Sequence, residues 1–247
     1  MKTEHQQLTQ LQLYRTGEYP CNYLPERTAS SQMVAPIDRI NDTNYGQLLD
    51  LGFRRSGLYV YRPQCVGCLA CQSYRVLTEA FTPNRSQRRC LKKWSHLNVR
   101  MVNLDFSKEH FELYRCYIEA RHGDGAMAND TEEQYQQFFL RSAITTFLVE
   151  FRDAHGILRM VSVIDVLDDG LSSVYTFFDP DTPQASYGVY NILWQAEQCR
   201  ANDLPYLYLG YWIAESTKMA YKSRFRPLEG YIDGQWRTLP APNTNHP

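Results

Sequence analysis

Residues 145–178 read TTFLVEFRDAHGILRMVSVIDVLDDGLSSVYTFF. Three apolar runs, 145–151, 157–167 and 172–178, have the length and β-branched or aromatic content of strands. Gly156 separates the first two, and Asp168-Asp169-Gly170 the last two. Turns that short predict an antiparallel meander. Upstream, residues 107–121 (SKEHFELYRCYIEAR) carry a helical apolar stripe behind a serine cap, with Glu109 in the first turn. Residues 131–142 predict a second helix. Downstream, 186–201 (SYGVYNILWQAEQCRA) predicts a long helix, 206–213 (YLYLGYWI) a buried strand and 215–223 a last helix. Helix, helix, three strands, helix, strand, helix is an α+β arrangement.

A meander followed by a helix and one more strand is compatible with a GNAT-like acyltransferase core, expected over residues 101–240. The remainder divides into an N-terminal lobe, 1–100, and a tail, 241–247, with the turn-rich segment after Gly230 loosely held. In the N-terminal lobe, 42–51 predicts a short helix capped by Asp42 or Thr43 and stopped by Gly52. Leu58 to Tyr61 predicts a brief strand before Pro63, 85–94 a basic helix, and 97–104 a strand.

The formal net charge of the 247 residues is -1, but residues 1–105 hold 14 Lys/Arg against 8 Asp/Glu, and residues 106–247 hold 12 against 19. Residues 54–100 carry 10 basic residues and the single acid Glu79. The acidic second half supplies part of the counter-charge; phosphates of a polyanion would supply the rest and release counterions on binding. Gly52-Phe53-Arg54-Arg55-Ser56-Gly57-Leu58-Tyr59-Val60-Tyr61-Arg62-Pro63 alternates guanidinium groups with rings, which suits phosphates and unpaired bases. Arg85, Arg88, Arg89, Lys92 and Lys93 put five cations in nine residues. They are the candidate RNA-binding face. The first twenty residues lack the apolar stretch of a signal peptide and no run of about 18 apolar residues occurs, so a cytoplasmic location is expected, with neither a membrane nor DNA as partner.

Cys65, Cys68 and Cys71 stand at C-x2-C-x2-C, a spacing that lets thiolates converge on one metal or cluster, with Gly67 easing the turn. Cys21 is the candidate fourth ligand, ahead of Cys90 and Cys116, and Arg62 and Arg75 would favour thiolates. A set of free thiols is the alternative. The sequence contains no phosphate-binding GxxxxGK[ST], no GxSxG and no HExxH. It also lacks the [QR]xxGx[GA] loop that holds coenzyme A pyrophosphate. A GNAT-like core here would then take an acyl donor other than a coenzyme A thioester.

Several segments, in order, match one family. They are Cys21-Asn22-Tyr23-Leu24-Pro25, Leu51-Gly52-Phe53-Arg54-Arg55-Ser56-Gly57, Tyr59-Val60-Tyr61-Arg62-Pro63 and Phe81-Thr82-Pro83-Asn84-Arg85. Later come Phe178-Asp179-Pro180-Asp181, Ser186-Tyr187-Gly188, Gly210-Tyr211-Trp212-Ile213 and Ser216-Thr217-Lys218-Met219-Ala220-Tyr221-Lys222. The chain resembles the aminoacyl-tRNA–protein transferases of the N-end rule pathway. It is most similar to the bacterial branch that moves leucine onto N-terminal aspartate or glutamate, a relative of the eukaryotic arginyl enzymes. The resemblance implies leucyl-tRNA as co-substrate, acidic protein N-termini as acceptors, and a GNAT-like C-terminal lobe beside a smaller basic one. Some arginyl relatives hold an iron–sulfur cluster on one CxxC pair plus two adjacent cysteines, whereas this sequence has Cys21 and the C-x2-C-x2-C run; an iron–sulfur cluster or zinc on Cys21, Cys65, Cys68 and Cys71 is the candidate.

The chemistry expected is attack of an α-amine on an aminoacyl ester, which is already activated and requires no cofactor. An α-amine of pKa about 7.8 is about 14% neutral at pH 7, a cost of about 1.2 kcal/mol, so positioning outweighs a strong base. Asp179, Tyr187 and Glu215 are the candidate proton acceptors or donors. Arg75, Lys218 and Lys222, then Arg54 and Arg55, are candidates for the acceptor's carboxylate, with Lys218 and Lys222 on one face of a helix. Trp194 and the 206–213 strand are candidate walls for the leucyl side chain. The alternatives are a transferase of the same family using another amino acid, such as arginine, and a non-catalytic RNA-binding protein with a cysteine metal site.

Overall fold

The computed structural model describes residues 11–123, 127–182 and 185–240, leaving aside the side chains at positions 122 and 218. The expected tail, 241–247, lies outside the described residues. The strands in chain order are β1 (Gln12–Arg15), β2 (Tyr19–Pro20), β3 (Thr28–Ala29), β4 (Ser31–Ala35), β5 (Arg54–Ser56), β6 (Tyr59–Pro63) and β7 (Gln72–Leu77). They continue as β8 (Asn98–Val102), β9 (Thr146–Arg152), β10 (Leu158–Val166), β11 (Gly170–Phe178), β12 (Tyr206–Trp212), β13 (Leu228–Ile232) and β14 (Gln235–Thr238). The helices are α1 (Asp42–Asp50), α2 (Arg85–Trp94), α3 (Lys108–His122), α4 (Glu132–Tyr135) and α5 (Tyr187–Ala201).

Eight strands form one mixed sheet in the order β14-β13-β7-β12-β11-β10-β9-β8. The meander is its centre: β9, β10 and β11 pair antiparallel in sequence. Every adjacent pair is antiparallel except β11–β12, which α5 connects as a parallel crossover. Strand β7, from the first hundred residues, sits inside this sheet between β12 and β13, so the sheet draws on both sides of position 100. A separate four-stranded sheet has the order β1-β4-β6-β5.

Alternate residues of the central strands feed different cores. Met160, Ile164, Leu171, Leu207 and Leu209 pack under α2 and α5 with Trp94, Tyr190, Ile192 and Leu193. Val161, Val163 and Phe177 pack with Phe111, Tyr114, Ile118, Tyr135 and Phe139 of the helices from the acidic half. Tyr208 and Leu167 join a third cluster with Tyr45, Leu48, Leu49, Phe53 and Val60, which seats the N-terminal sheet on the large one.

Four local expectations are corrected. Asn41, not Asp42 or Thr43, caps α1: its side chain accepts from the Asn44 N–H and Asn44 reciprocates, while Asp42 accepts from Thr145. The helix expected at 131–142 is α4 followed by a π turn over Gln136–Leu140, at the point where the β5–β6 tip packs: a Cβ on Gly57 would stand 2.4 Å from the Gln137 carbonyl. The segment expected as a helix at 215–223 is a 3-10 turn over Thr217–Arg224. Its three-residue pitch removes the shared face expected for Lys218 and Lys222. The segment after Gly230 is the β13–β14 hairpin, held by Leu228, which is fully buried, and by Trp236, whose Nε1 donates to the Asp50 carbonyl. Among the described residues no helix is long and apolar enough to cross a membrane.

Candidate active-site cleft

The parallel pair β11–β12 begins at closest approach and then opens. A Cβ on Gly170 would lie 2.3 Å from the Tyr206 carbonyl oxygen, so only glycine fits where the strands start. Pairing covers Gly170–Tyr206, Leu171–Leu207 and Ser172–Tyr208 and then stops. The opening coincides with irregularities in both strands. The β10–β11 register shifts at Val163/Ile164, and the β12–β7 register shifts between Tyr208 and Gly210. A bulge of this kind bends a strand away from its neighbour. Ser173 to Thr176 of β11 are half-exposed there. On β12, the Leu209 and Tyr211 carbonyls lie beyond the last pair and accept from Lys222 Nζ at 2.8 and 3.0 Å. Gly210, at φ +74°, takes the left-handed conformation between them.

The five candidate acceptor cations separate in this setting. Arg55 is engaged: Nε meets Asp165 Oδ2 at 2.8 Å and Nη2 meets Asp165 Oδ1 at 2.5 Å, with both side chains buried. Burial opposes its charge, but Asp165 outweighs burial and holds its pKa above the ordinary arginine value. Arg75 is engaged too, donating to Glu229 at 2.8 Å and Asp50 at 3.2 Å with its guanidinium against the Tyr206 and Trp236 rings. Lys218 sits in the 3-10 turn with its side chain outside the described set. Arg54 and Lys222 remain. Arg54 is buried, and Nη1 donates to the Phe53 carbonyl, while Nε and Nη2 have no partner among the described residues. Burial pushes its pKa down; Tyr211, Tyr45, Tyr208 and Tyr61 surround it. Lys222 is pushed down to about 8, by burial first and then by Arg54. Buried Arg54 and half-buried Lys222, neither hydrogen-bonded to a carboxylate among the described residues, make this corner of the cleft electropositive.

Asp179, Tyr187 and Glu215 all follow the C-terminal ends of the parallel strands: Asp179 directly after β11, Tyr187 at the start of α5 and Glu215 shortly after β12. Asp179 receives Arg159 Nη1 at 2.6 Å, the Asp181 N–H at 2.9 Å and Thr182 Oγ1 at 2.8 Å. Burial alone would raise its pKa, but these donors hold it below the usual carboxylate range. Tyr187 is buried against Trp94 and Phe178, and burial raises its pKa. Glu215 is exposed. Trp194 packs edge-on against Phe151 in the core.

The four thiols face one another without converging. Cys71 is pushed up to about 12, by burial first and then by Cys21, Cys65, Cys68 and Glu215. Each of the other three has a protein partner. Cys21 Sγ accepts from the Leu24 N–H, Cys65 Sγ donates to the Ser30 carbonyl, and Cys68 Sγ accepts from Arg27 Nη1. Among the described residues no three His, Cys, Asp or Glu side chains are arranged to hold a metal ion. No iron–sulfur or zinc site on these four cysteines is formed among the described residues. Neither Arg62, which lies over Phe53, nor Arg75 is placed among the groups that act on Cys71.

The basic helix α2 is as the sequence suggests. Asn84 caps it, accepting from the Ser86 and Gln87 N–H groups, and Gln87 and Trp94 anchor it. Arg85, Arg88, Arg89, Lys92 and Lys93 are exposed; Arg88 donates to the Pro83 carbonyl, and Lys93 lies over the Trp94 ring. α2 packs beside α5, which leads into the cleft.

Asp165 was not among the expected site residues, although an acid inside the apolar run VSVIDVL is the mark of a buried partner. The opening between β11 and β12 has no such mark beyond Gly170 and Gly210.

Family models described as arginine-tRNA-protein transferase, N terminus and C terminus, match residues 19–89 and 109–232. A protein of Thiobacillus denitrificans named aspartate/glutamate leucyltransferase is 54% identical over 231 residues, covering 94% of this chain and 96% of that one. Its namesake in Polynucleobacter necessarius is 52% identical over 237 residues, covering 94% of each chain. A crystal structure of FemX superposes with a TM-score of 0.46 at 7% identity, covering 88% of this chain and 83% of that one.

Proposed function

Since the chain belongs to the arginine-tRNA-protein transferase family, we propose that it moves leucine from leucyl-tRNA to the α-amine of an N-terminal aspartate or glutamate, marking the protein for degradation by the N-end rule. It is an aminoacyltransferase. The geometric observation that carries the reading is the parallel pair β11–β12, whose pairing ends at Ser172 and Tyr208 beside buried Arg54 and half-buried Lys222. The choice of leucine rests on the named relatives.

In the step itself the neutral amine attacks the ester carbonyl. The new N–C amide bond forms, the C–O bond to the terminal ribose breaks, and the ribose oxygen takes up a proton while the amine loses one. The ester is activated beforehand, so positioning is the main demand and no covalent enzyme intermediate is needed. The crossover β11–α5–β12 supports a GNAT-like acyl-transfer lobe, with the donor ester entering where the strands part. Proton transfer falls to groups at the C-terminal ends of these strands. Glu215 is the exposed acid there, while Asp179 orders the turn into α5 and Tyr187 lines its base. The five exposed cations of α2 suit the tRNA backbone. A reaction that consumes charged tRNA belongs in the cytoplasm.

The test is leucyl-tRNA labelled in its amino acid, incubated with peptides beginning with Asp, Glu, Arg or Ala and read by mass spectrometry. Leucine joined to the N-terminus of the Asp and Glu peptides supports the reading. tRNA binding with no addition to any peptide would leave an RNA-binding protein instead.

A further inference from the structure

Arg54 and Arg55 are adjacent in sequence and both buried, yet their guanidinium groups stand in opposite conditions. On Arg55 the side-on edge, Nε with Nη2, grips both oxygens of Asp165. On Arg54 the same two donors, Nε and Nη2, are buried and have no partner among the described residues. The Nε–Nη2 edge matches the spacing of two carboxylate oxygens and binds them in parallel. One of the two forks is thus filled from within the chain and the other is unpaired among the described residues.

A guanidinium in the interior is costly, and leaving its donors unpaired adds to the cost. The Asp50 carboxylate lies near enough to feel its charge but makes no hydrogen bond to it among the described residues. Here the cost is increased by Lys222, a half-buried cation whose own pKa Arg54 helps to lower. The tyrosines around Arg54 offer ring faces and hydroxyls, not a counter-charge: Tyr208 lies 5.5 Å from its Cζ, and the Tyr211 hydroxyl donates to the Gly52 and Tyr61 carbonyls. Such an arrangement is stable in use if an anion arrives from outside with the geometry of the fork.

We infer that the side-chain carboxylate of the acceptor's N-terminal aspartate or glutamate docks on the Nε–Nη2 edge of Arg54, with Lys222 supplying the second positive charge. The inference rests on the leucyl-transfer reading for the identity of the carboxylate, but the fork's preference for a carboxylate does not. Of the four tyrosines that surround Arg54, Tyr61 alone is half-exposed, which makes it the side on which the acceptor would approach. Asparagine and glutamine cannot replace the acid, since each presents an amide N–H₂ to one of the two donors. Arg54 is a specificity residue in this account: it orients the acceptor and takes no part in proton transfer.

The experiment uses full-length wild type, Arg54→Met and Arg54→Lys. Methionine keeps the apolar stem and removes the unpaired charge, so its thermal midpoint should equal or exceed that of wild type. Binding is read first, by the rise in thermal midpoint with the dipeptide Asp-Ala and, as control, Asn-Ala. Wild type should be stabilised by Asp-Ala alone, and Arg54→Met by neither. Transfer from leucyl-tRNA is read second, on Asp- and Asn-initiated peptides. The Asp:Asn ratio of kcat/KM should fall by about a hundredfold or more in Arg54→Met, with affinity for leucyl-tRNA unchanged. Arg54→Lys, which keeps the charge without the fork, should recover only part of the ratio. An unchanged ratio in a folded Arg54→Met overturns the inference. Weakened tRNA affinity with an unchanged ratio also overturns it, and assigns the fork to a phosphate. If wild type transfers no leucine but Asp-Ala binding still requires Arg54, the donor reading fails while the carboxylate site stands.

Discussion

Arg55 and Asp165 stand 110 residues apart in the chain and meet as a buried side-on ion pair, 2.5 and 2.8 Å between donors and acceptors. Thr146 Oγ1 closes the network, donating to Asp165 Oδ1 at 2.8 Å and accepting from Arg55 Nη2 at 3.1 Å. The pair fastens β5 of the small sheet to β10 of the large one, and so fixes the strand that carries Arg54 against the cleft. Removing one partner strands a buried charge. Asp165→Asn should cost about 3–5 kcal/mol, read from urea unfolding, whereas the double replacement Arg55→Met with Asp165→Leu should cost far less. Equal losses for the single and double variants would mean the pair acts through shape and not through charge.

The α2 face predicts a salt effect. Arg85→Ala, Arg88→Ala and Arg89→Ala together should weaken tRNA binding and lower the slope of log affinity against log salt by about 2 to 3. Thermal stability should hold, because all three side chains are exposed. An unchanged slope would place the tRNA on another surface.

Gly170 predicts a packing effect at the root of the cleft. With the Tyr206 carbonyl 2.3 Å from where a Cβ would sit, Gly170→Ala must push β11 off β12. The obstacle is backbone, which cannot rotate away. The variant should lose more than about 1 kcal/mol of stability and most of its transfer activity together. Full stability with full activity would show that the strands part more easily than their three pairs suggest.

Glu150 predicts an acid limb. It accepts from Arg100, His110 and Arg152 at 2.9, 2.7 and 3.0 Å. Burial would raise its pKa, but these three partners bring it down to about 2. Below the ordinary glutamate value of about 4.3, the unfolded chain takes up a proton that the folded one refuses. The stabilisation is therefore complete above that value and is lost as pH falls from there towards about 2. Glu150→Gln should flatten the decline of the urea midpoint over this interval; part of the slope remains, because Glu109 and Asp179 are held low as well. An unaltered decline would contradict the assignment.

The meander was legible because β9, β10 and β11 are apolar runs of strand length with short turns at Gly156 and Asp168-Asp169-Gly170 between them. The helix α2 was legible from the basic run at 85–94, and its Asn84–Gln87 capping box emerged only in the structure. Strand β7 was not: Gln72 to Leu77 reads as a mixed segment after the cysteines, since Arg75 lies inside a buried strand only because Glu229 and Asp50 come to it from distant parts of the chain. The same distance hid the fates of the five acceptor cations. Sequence supplies guanidinium groups at 54, 55 and 75, but partners 110 and 154 residues away decide which stay available. The 3-10 turn after Ser216 likewise carries a tertiary contact the sequence does not display, Lys222 Nζ donating to the β12 carbonyls.

The most direct measurement is a donor competition. Wild type would receive leucyl-tRNA and arginyl-tRNA together, each labelled in its amino acid by a different isotope, with one peptide beginning with Asp and one with Asn. The account predicts leucine on the Asp peptide, no arginine on either, and almost nothing on the Asn peptide. Arginine on the Asp peptide, or equal leucine on both peptides, would contradict it.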